Sequence, residues 1–478
     1  MISVQALIDG DYIQHKDQQT VPVINPATNG VVGEVPALEK ADVDHAVSAA
    51  ATAFKTWKKT PASERARLVK QLLSLMQEEQ SLETIGKAIT LEMGKGYSSA
   101  KSEVFYAAEL GEYQTEWARR IEGDIVESDN TNEKILSMRE PLGVIGIIVP
   151  WNFPIYVLIR KVVPALIAGN TVVIKPSSKS PLSALELAKL IANTDIPKGV
   201  INVITGEDSV VGEALTSSEK INMITFTGST AVGKRIMEKC AQNMIKVSLE
   251  LGGKAPAVVM EDADIELAVQ AVTGGRLANS GQVCNNTERV YVQKSIKEQF
   301  VKRLVEEFSR IEYGDGLANP DVAMTCLVSS NDARRVHAMV EEAVSEGAMV
   351  LCGGKLVSED SSFYPPTLLD TCTQDMKIIH EEVFGPVLPI VEFDTLEEVI
   401  ELVNDSEYGL TSNVYSNNYR YIMELTANID SGEIYVNRQQ GEAYQGYHSG
   451  WKKSGIGGDD GKHGFYEFTQ VKTVYLKY

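Results

Sequence analysis

Val144-Ile145-Gly146-Ile147-Ile148-Val149, closed by Pro150-Trp151-Asn152-Phe153-Pro154, is an unbroken apolar run of strand length. A strand buried on both faces shows no polar alternation, and such runs mark parallel sheets covered by helices. The pattern recurs at 171–175, 201–205 and 223–226, with intervals long enough for crossover helices, so the chain beyond Pro141 predicts a parallel α/β domain. A second unit begins at Ala255-Pro256-Ala257-Val258-Val259-Met260. It continues through Arg289-Val290-Tyr291-Val292 and a helix bearing Ile296, Phe300, Leu304 and Phe308. The boundary falls near Gly252-Gly253, and α/β proteins bind ligands in such clefts, at the carboxyl ends of strands.

Upstream, short β-prone pieces alternate with turns, as in Val21-Pro22-Val23-Ile24-Asn25-Pro26. Thr60-Pro61 offers a helix cap and a first-turn proline ahead of Val69, Leu72, Leu73 and Met76, and a second helix places Ala107, Leu110, Tyr113 and Trp117 on one face. Segments 121–138 and 469–478 fit neither unit. Both read as antiparallel edge strands that could pair with another subunit or within their own domain.

At 478 residues the chain is large enough for two or more cores. Its net charge of −20, from 45 Lys plus Arg against 65 Asp plus Glu, repels nucleic acid and anionic membrane. The amino-terminal stretch has no basic, apolar leader pattern, and no run approaches the roughly 20 apolar residues of a membrane span, so a soluble cytoplasmic protein is expected. Five cysteines, at 240, 284, 326, 352 and 372, form no paired framework and read as reduced thiols. Six scattered histidines offer no zinc spacing, so no metal is expected.

The chemistry gathers around Asn279-Ser280-Gly281-Gln282-Val283-Cys284-Asn285-Asn286 and Leu249-Glu250-Leu251-Gly252-Gly253. A soft nucleophile and a carboxylate base are the minimum equipment for covalent work on a carbonyl; a structural thiol and a strand-end acid are the bland alternatives. No histidine adjoins Cys284 in sequence, so activation is expected from amides, water and cofactor charge rather than a Cys–His pair. The two glycines after Glu250 suit a carboxylate that moves. Phe226-Thr227-Gly228-Ser229-Thr230-Ala231-Val232-Gly233 lies between a strand and a helix-compatible run, and matches neither a Walker loop nor a tight Gly-x-Gly-x-x-Gly turn. It reads equally as a pyrophosphate cradle or an ordinary junction. Lys175-Pro176-Ser177-Ser178 ends another strand, where a cation could meet a nucleotide or merely solvent.

Taken together, Pro150-Trp151-Asn152-Phe153-Pro154, Phe226-Thr227-Gly228-Ser229, Leu249-Glu250-Leu251-Gly252-Gly253-Lys254, Gly281-Gln282-Val283-Cys284 and Glu382-Val383-Phe384-Gly385-Pro386 make the chain resemble, end to end, the NAD(P)-dependent aldehyde dehydrogenase superfamily. The resemblance implies an α/β fold with a Rossmann-like cofactor domain (1–120 and 139–252), an α/β catalytic domain (253–450, with 451–468 returning toward the first) and a small antiparallel oligomerisation sheet (121–138 and 469–478). It implies Cys284 as nucleophile, Glu250 as deacylation base and Asn152 as oxyanion donor. Trp151, Lys175, Ser178, Gly228, Ser229, Gly233, Glu382 and Phe384 fall at cofactor positions, and a homodimer or a tetramer built from dimers is implied.

Within that superfamily, Cys284-Asn285, Asn437-Arg438 and Gln445-Gly446-Tyr447-His448-Ser449-Gly450-Trp451 resemble bacterial lactaldehyde and glycolaldehyde dehydrogenases. Arg160, Asn285 and His448 are then expected around a small polar aldehyde. An interdomain salt bridge and a loop-packing histidine are the alternatives for Arg160 and His448. Succinate semialdehyde, betaine aldehyde and aliphatic aldehydes are the competing substrates. A CoA-acylating enzyme and a non-catalytic nucleotide-binding protein are the competing classes. Two departures stand out. Ser178 replaces the glutamate that NAD-preferring members often carry, leaving NAD favoured but NADP open, and Thr325-Cys326-Leu327 replaces Gly-Pro-Leu in what reads as a surface or interface loop.

Overall fold

The computed structural model describes residues 2–13 and 19–478. Strands Val144–Ile148, Thr171–Lys175 and Ile201–Val203 step outward in one direction, and Met223–Thr227 and Lys246–Glu250 then continue on the other side of Val144–Ile148, all in parallel. The strand order therefore reverses between Val144–Ile148 and Met223–Thr227, and the crevice at their carboxyl ends is where a doubly wound sheet accepts a ligand. The hairpin Ala6–Ile8/Asp11–Ile13 closes one edge and Gly455–Ile456 the other, both antiparallel to the core. Lys246–Glu250 is the strand that sequence patterning did not separate out, because Lys246 and Ser248 interrupt its apolar character.

Val144–Ile148 is buried along its whole length, as its continuous apolar run requires. The helix that follows, Pro154–Ala168, starts on a proline, stops at Gly169 with φ 103°, and buries every residue but Tyr156. A helix covered on all sides carries polar side chains only where they find partners, and both Arg160 and Lys161 do. Thr60 does not cap the next-door helix Ala62–Gln77: Pro61 occupies the cap position, and the Thr60 hydroxyl donates back to the Thr56 carbonyl at 3.4 Å. Val69, Leu72, Leu73 and Met76 nevertheless face the core. In helix Tyr97–Thr115, Ala107 and Leu110 are buried, as is Trp117 just beyond it, whereas Tyr113 is half-buried.

The second sheet runs Met349–Cys352, Thr367–Asp370, Val387–Phe393, Arg289–Gln293, Pro256–Val259, Thr411–Tyr415, Glu433–Val436, parallel except for the first pair. Helix Lys297–Arg310 covers it with Phe300, Leu304 and Phe308. Thr469–Lys477 pairs along its length with Glu133–Pro141, which also pairs with Asp124–Glu127, so the two unassigned segments form one antiparallel sheet with Ile125 and Tyr475 exposed. Among the described residues, no helix is long and apolar enough to cross a membrane.

Phe300 is fully buried in the second core. Phe300→Ala should cost about 3–5 kcal/mol, read as a lower denaturant midpoint at unchanged m-value.

Candidate active site

The helix Ile265–Leu277 ends just before Cys284, and Asn279, Ser280 and Gly281 then take φ of 47°, 58° and 80° in succession. Left-handed backbone at two non-glycine residues is costly unless neighbours hold it. Here they do. The Asn279 amide donates to the Asn152 carbonyl at 3.2 Å and to that of Gln282 at 3.3 Å. The Ser280 hydroxyl donates to the Thr325 carbonyl at 3.0 Å and accepts the Thr325 N–H at 3.2 Å. Gln282 joins in, donating to the Asn279 carbonyl at 3.0 Å and accepting the Val328 N–H at 2.8 Å. Thr325 and Cys326 are thus buried supports of the nucleophile loop, not the surface or interface loop expected from sequence.

At Gly281 a Cβ would lie 2.2 Å from the Gly385 carbonyl oxygen, so only glycine lets the two loops meet. Arg276 clamps that meeting point: its guanidinium donates to the carbonyls of Thr287, at 2.8 Å, and Gly385, and lies 2.7 Å from Glu288. Glu288 also pairs with Lys254 at 2.8 Å and accepts the N–H groups of Val383 at 2.9 Å and Phe384 at 3.1 Å. Burial works against its charge, yet Arg276 and Lys254 hold Glu288 down to about 2. Gly252 and Gly253 have a similar close-approach role. A Cβ on the first would meet Glu382 at 2.7 Å, and one on the second the Cys284 carbonyl at 2.6 Å.

Asn152 sits between Val144–Ile148 and the Pro154–Ala168 helix, and its side-chain amide donates to the Gln282 carbonyl at 2.9 Å, directly across from the cysteine loop. Its own carbonyl accepts from Lys95 at 2.8 Å. Lys95 is fully buried, ion-paired to Glu103 and 3.6 Å from the centre of the Phe153 ring. The other Glu103 oxygen accepts the N–H groups of Ile155 at 3.0 Å and Tyr156 at 3.2 Å, completing the helix start from a neighbouring helix. No sequence motif announces this pair; only packing of Tyr97–Thr115 against Pro154–Ala168 creates it.

Glu250 ends its strand buried, with neither carboxylate oxygen hydrogen-bonded to protein among the described residues. Burial pushes it up to about 8, against the lowering pull of the His448 charge 3.6 Å away. His448 is also buried and lines the same cavity as Cys284, with Nδ1 3.1 Å from Glu433 and 3.5 Å from Glu442. Burial opposes its cation, but the Cys284 and Glu433 hydrogen bonds and the charges of Glu442 and Glu250 hold it well above the usual imidazole range. His448 thus shares the cavity with the Cys284 thiol, although no histidine adjoins it in sequence. Arg160 lies 2.9 Å from Asp460 and 3.6 Å from Glu442, and Lys161 2.7 Å from Asp459. Burial pushes Asp460 up to about 6 despite Arg160.

These groups surround a cavity of about 410 Å³. It brings together Cys284, Asn285, Glu250, Asn152, Arg160 and His448 with Trp151, Gly228, Ser229, Glu382 and Phe384. Trp151 and Phe384 come from different lobes and meet edge to face at 5.6 Å. Lys175 and Ser178 are not in this wall; they cluster around Asp208. Nor is Gly233, where a Cβ would meet Leu251 at 2.6 Å, so its small size serves helix packing. The residues present fit a dinucleotide. Ser229 precedes the 13-residue helix Thr230–Gln242, whose free amide groups suit a pyrophosphate, and the buried Thr227 hydroxyl in the cavity wall has no protein partner among the described residues. Glu382, accepting the Gly253 N–H at 2.9 Å, is pushed up to about 7 by burial and by Glu288.

Burial pushes the Cys240 thiol up to about 11 and those of Cys326 and Cys372 to about 12. All five are free thiols. Among the described residues no group of three His, Cys, Asp or Glu side chains could hold a metal.

Residues 12–474 match the model of the aldehyde dehydrogenase family. The chain belongs to that family. It is 46% identical to a lactaldehyde dehydrogenase of Escherichia coli over 470 residues, covering 98% of each chain, and 42% identical to a 3,6-anhydro-alpha-L-galactose dehydrogenase of a Vibrio species, covering 99% of each. It superposes on a crystal structure of lactaldehyde dehydrogenase from Escherichia coli with a TM-score of 0.97 at 45% identity, covering 100% of this chain and 99% of that one. The protein is an NAD(P)-dependent aldehyde dehydrogenase, and its first sheet is the family's Rossmann-like one.

Lys95→Met would strand the buried Glu103 carboxylate. A loss of about 3–5 kcal/mol is expected by urea titration, the cost of breaking one side of a buried pair.

Proposed function

We propose that the protein oxidises a small 2-hydroxyaldehyde, lactaldehyde or glycolaldehyde, to its acid. The observation that carries this reading is the convergence on one cavity of the Cys284 thiol, a Glu250 carboxylate without hydrogen bonds among the described residues, and the charged side chains of Arg160, Glu442 and His448. The relative named lactaldehyde dehydrogenase supports it.

Cys284 sulfur attacks the aldehyde carbon, and the developing alkoxide is held by the Asn152 amide and the Cys284 backbone N–H. The nicotinamide, when bound, supplies the acceptor for the hydride that leaves this carbon, and the substrate remains as a thioester on Cys284. Glu250 takes a proton from water, which attacks the thioester and frees the acid. A carboxylate with no hydrogen bonds to give up is a better base than its solvated counterpart, and the same burial sets its working range. His448 donates to the substrate hydroxyl, and Arg160 offers its fork to the polar end of substrate or product. An apolar aldehyde would leave these groups unpaired, which selects against it. Asn285 lines the same cavity.

On the cofactor side, Trp151, Gly228, Ser229, Glu382 and Phe384 hold the pyrophosphate and nicotinamide portions, and Lys175 and Ser178 the adenosine ribose, with Gly233 supporting the helix behind. NAD is the expected cofactor, with NADP use open at Ser178. Cofactor binding belongs to residues 1–120 and 139–252, catalysis to 253–450, and 451–468 links back. Segments 121–138 and 469–478 join subunits into a dimer or a tetramer of dimers. The reduced thiols suit the cytoplasm.

The test is aldehyde-dependent NADH formation with mass detection of the acid, across L-lactaldehyde, glycolaldehyde, propanal, succinate semialdehyde and betaine aldehyde; a preference for propanal overturns the polar-pocket reading. Cys284→Ala should abolish acid formation, while Asn152→Ala should lower kcat about 10²-fold, or about 3 kcal/mol. Because Glu250 must be ionised to act, kcat should rise with pH through a limb near 8. Glu250→Gln should flatten that limb and lower hydrolytic turnover about 10²-fold or more, checked by stopped-flow and steady-state rates across pH.

A further inference from the structure

The Thr171–Lys175 strand ends on a buried ammonium, and its ion-pair partner is Asp208. The other Asp208 oxygen accepts from the Ser178 hydroxyl at 3.1 Å. Asp208 opens the helical turn Asp208–Gly212 directly after Glu207, and its side chain is 63% exposed, so the carboxylate faces solvent across the strand end from Ser178. Lys179, which follows Ser178, is engaged elsewhere: it pairs with Asp332 at 3.1 Å and lies over the Trp151 ring.

We propose that Asp208 reads the adenosine ribose of the dinucleotide and selects against a 2'-phosphate, the task that a glutamate at position 178 would otherwise perform. The inference rests on the aldehyde dehydrogenase reading of the cleft. A ribose 2'-hydroxyl is a donor that a carboxylate accepts, the general device by which doubly wound folds favour NAD. A 2'-phosphate there would meet a like charge and would have to compete with Asp208 for the single Lys175 ammonium. Ser178 offers no relief, because its hydroxyl already serves Asp208. The repulsion of a phosphate dianion by a carboxylate a few ångströms away in solvent amounts to about tenfold or more in affinity. Position 178 read alone leaves NADP open; Asp208, bonded to both Lys175 and Ser178, closes it.

Fluorescence titration of the purified protein with NADH and NADPH tests this without turnover. The wild type should bind NADH at least about tenfold more tightly than NADPH, and Asp208→Asn should reduce that ratio by about tenfold, chiefly through tighter NADPH binding. Adding Ser178→Glu to Asp208→Asn should restore the preference, and the selective gain in NADPH over NADH binding in Asp208→Asn is what a merely structural role for Asp208 would not give. If Asp208→Asn does not fold, Asp208→Ser carries the same expectations. A ratio unchanged within twofold by the substitution, or equal affinities in the wild type, overturns the proposal alone. Failure of the wild type to bind either dinucleotide overturns the functional reading together with it.

Discussion

Three loops meet at the base of the cavity, and the buried charges of Arg276, Glu288 and Lys254 are what hold them there. Each member answers backbone as well as charge. Arg276 satisfies carbonyls of the cysteine loop and of Gly385, and Glu288 satisfies two N–H groups of the segment carrying Phe384. Such an arrangement contributes little net stability over an apolar filling, since desolvating the charges offsets their attraction. What it contributes is placement. The nucleophile loop, the aromatic wall and the glycines after Glu250 are fixed to one another by directional bonds that an apolar contact could not supply. The left-handed backbone at Asn279 and Ser280 is held beside this clamp by hydrogen bonds to Asn152, Gln282 and Thr325.

A second set of buried charges lies across the cavity with a different character. Around His448 stand Glu250, Glu433 and Glu442, and just behind them Asp459 and Asp460 face Arg160 and Lys161. Acids outnumber bases here, so the carboxylates cannot all ionise at equal ease, and burial raises Glu250 and Asp460 while Glu442 is held low by Arg160 and His448. Groups of one chemical type are thereby split into a proton holder and a fixed anion by their surroundings alone. The same cluster that tunes the base also forms the polar end of the cavity, so base strength and substrate polarity are set by shared residues.

The cofactor side follows from topology. The reversal of strand order beside Val144–Ile148 opens the crevice, and the chain places Trp151 and Gly228 at the two strand ends that border it. Phe384 closes it from the second lobe.

The sequence by itself determined the two α/β units, most of their strands, the antiparallel pairing potential of the two outlying segments and the motif residues that line the cavity. Continuous β-branched runs, helical periodicity and Gly/Pro punctuation are local, and local signals survive without knowledge of the fold. Only the tertiary structure decided that His448 stands between Glu250 and Glu433, that Lys95 and Glu103 brace Asn152, that Thr325 supports Ser280, and that Asp208 binds Ser178. These are contacts between side chains far apart in the chain, at positions with no periodic or motif signature. A buried polar group takes whichever partner the packing of its elements delivers, and that delivery depends on how helices and loops seat on the sheets, which a string of residues does not encode locally.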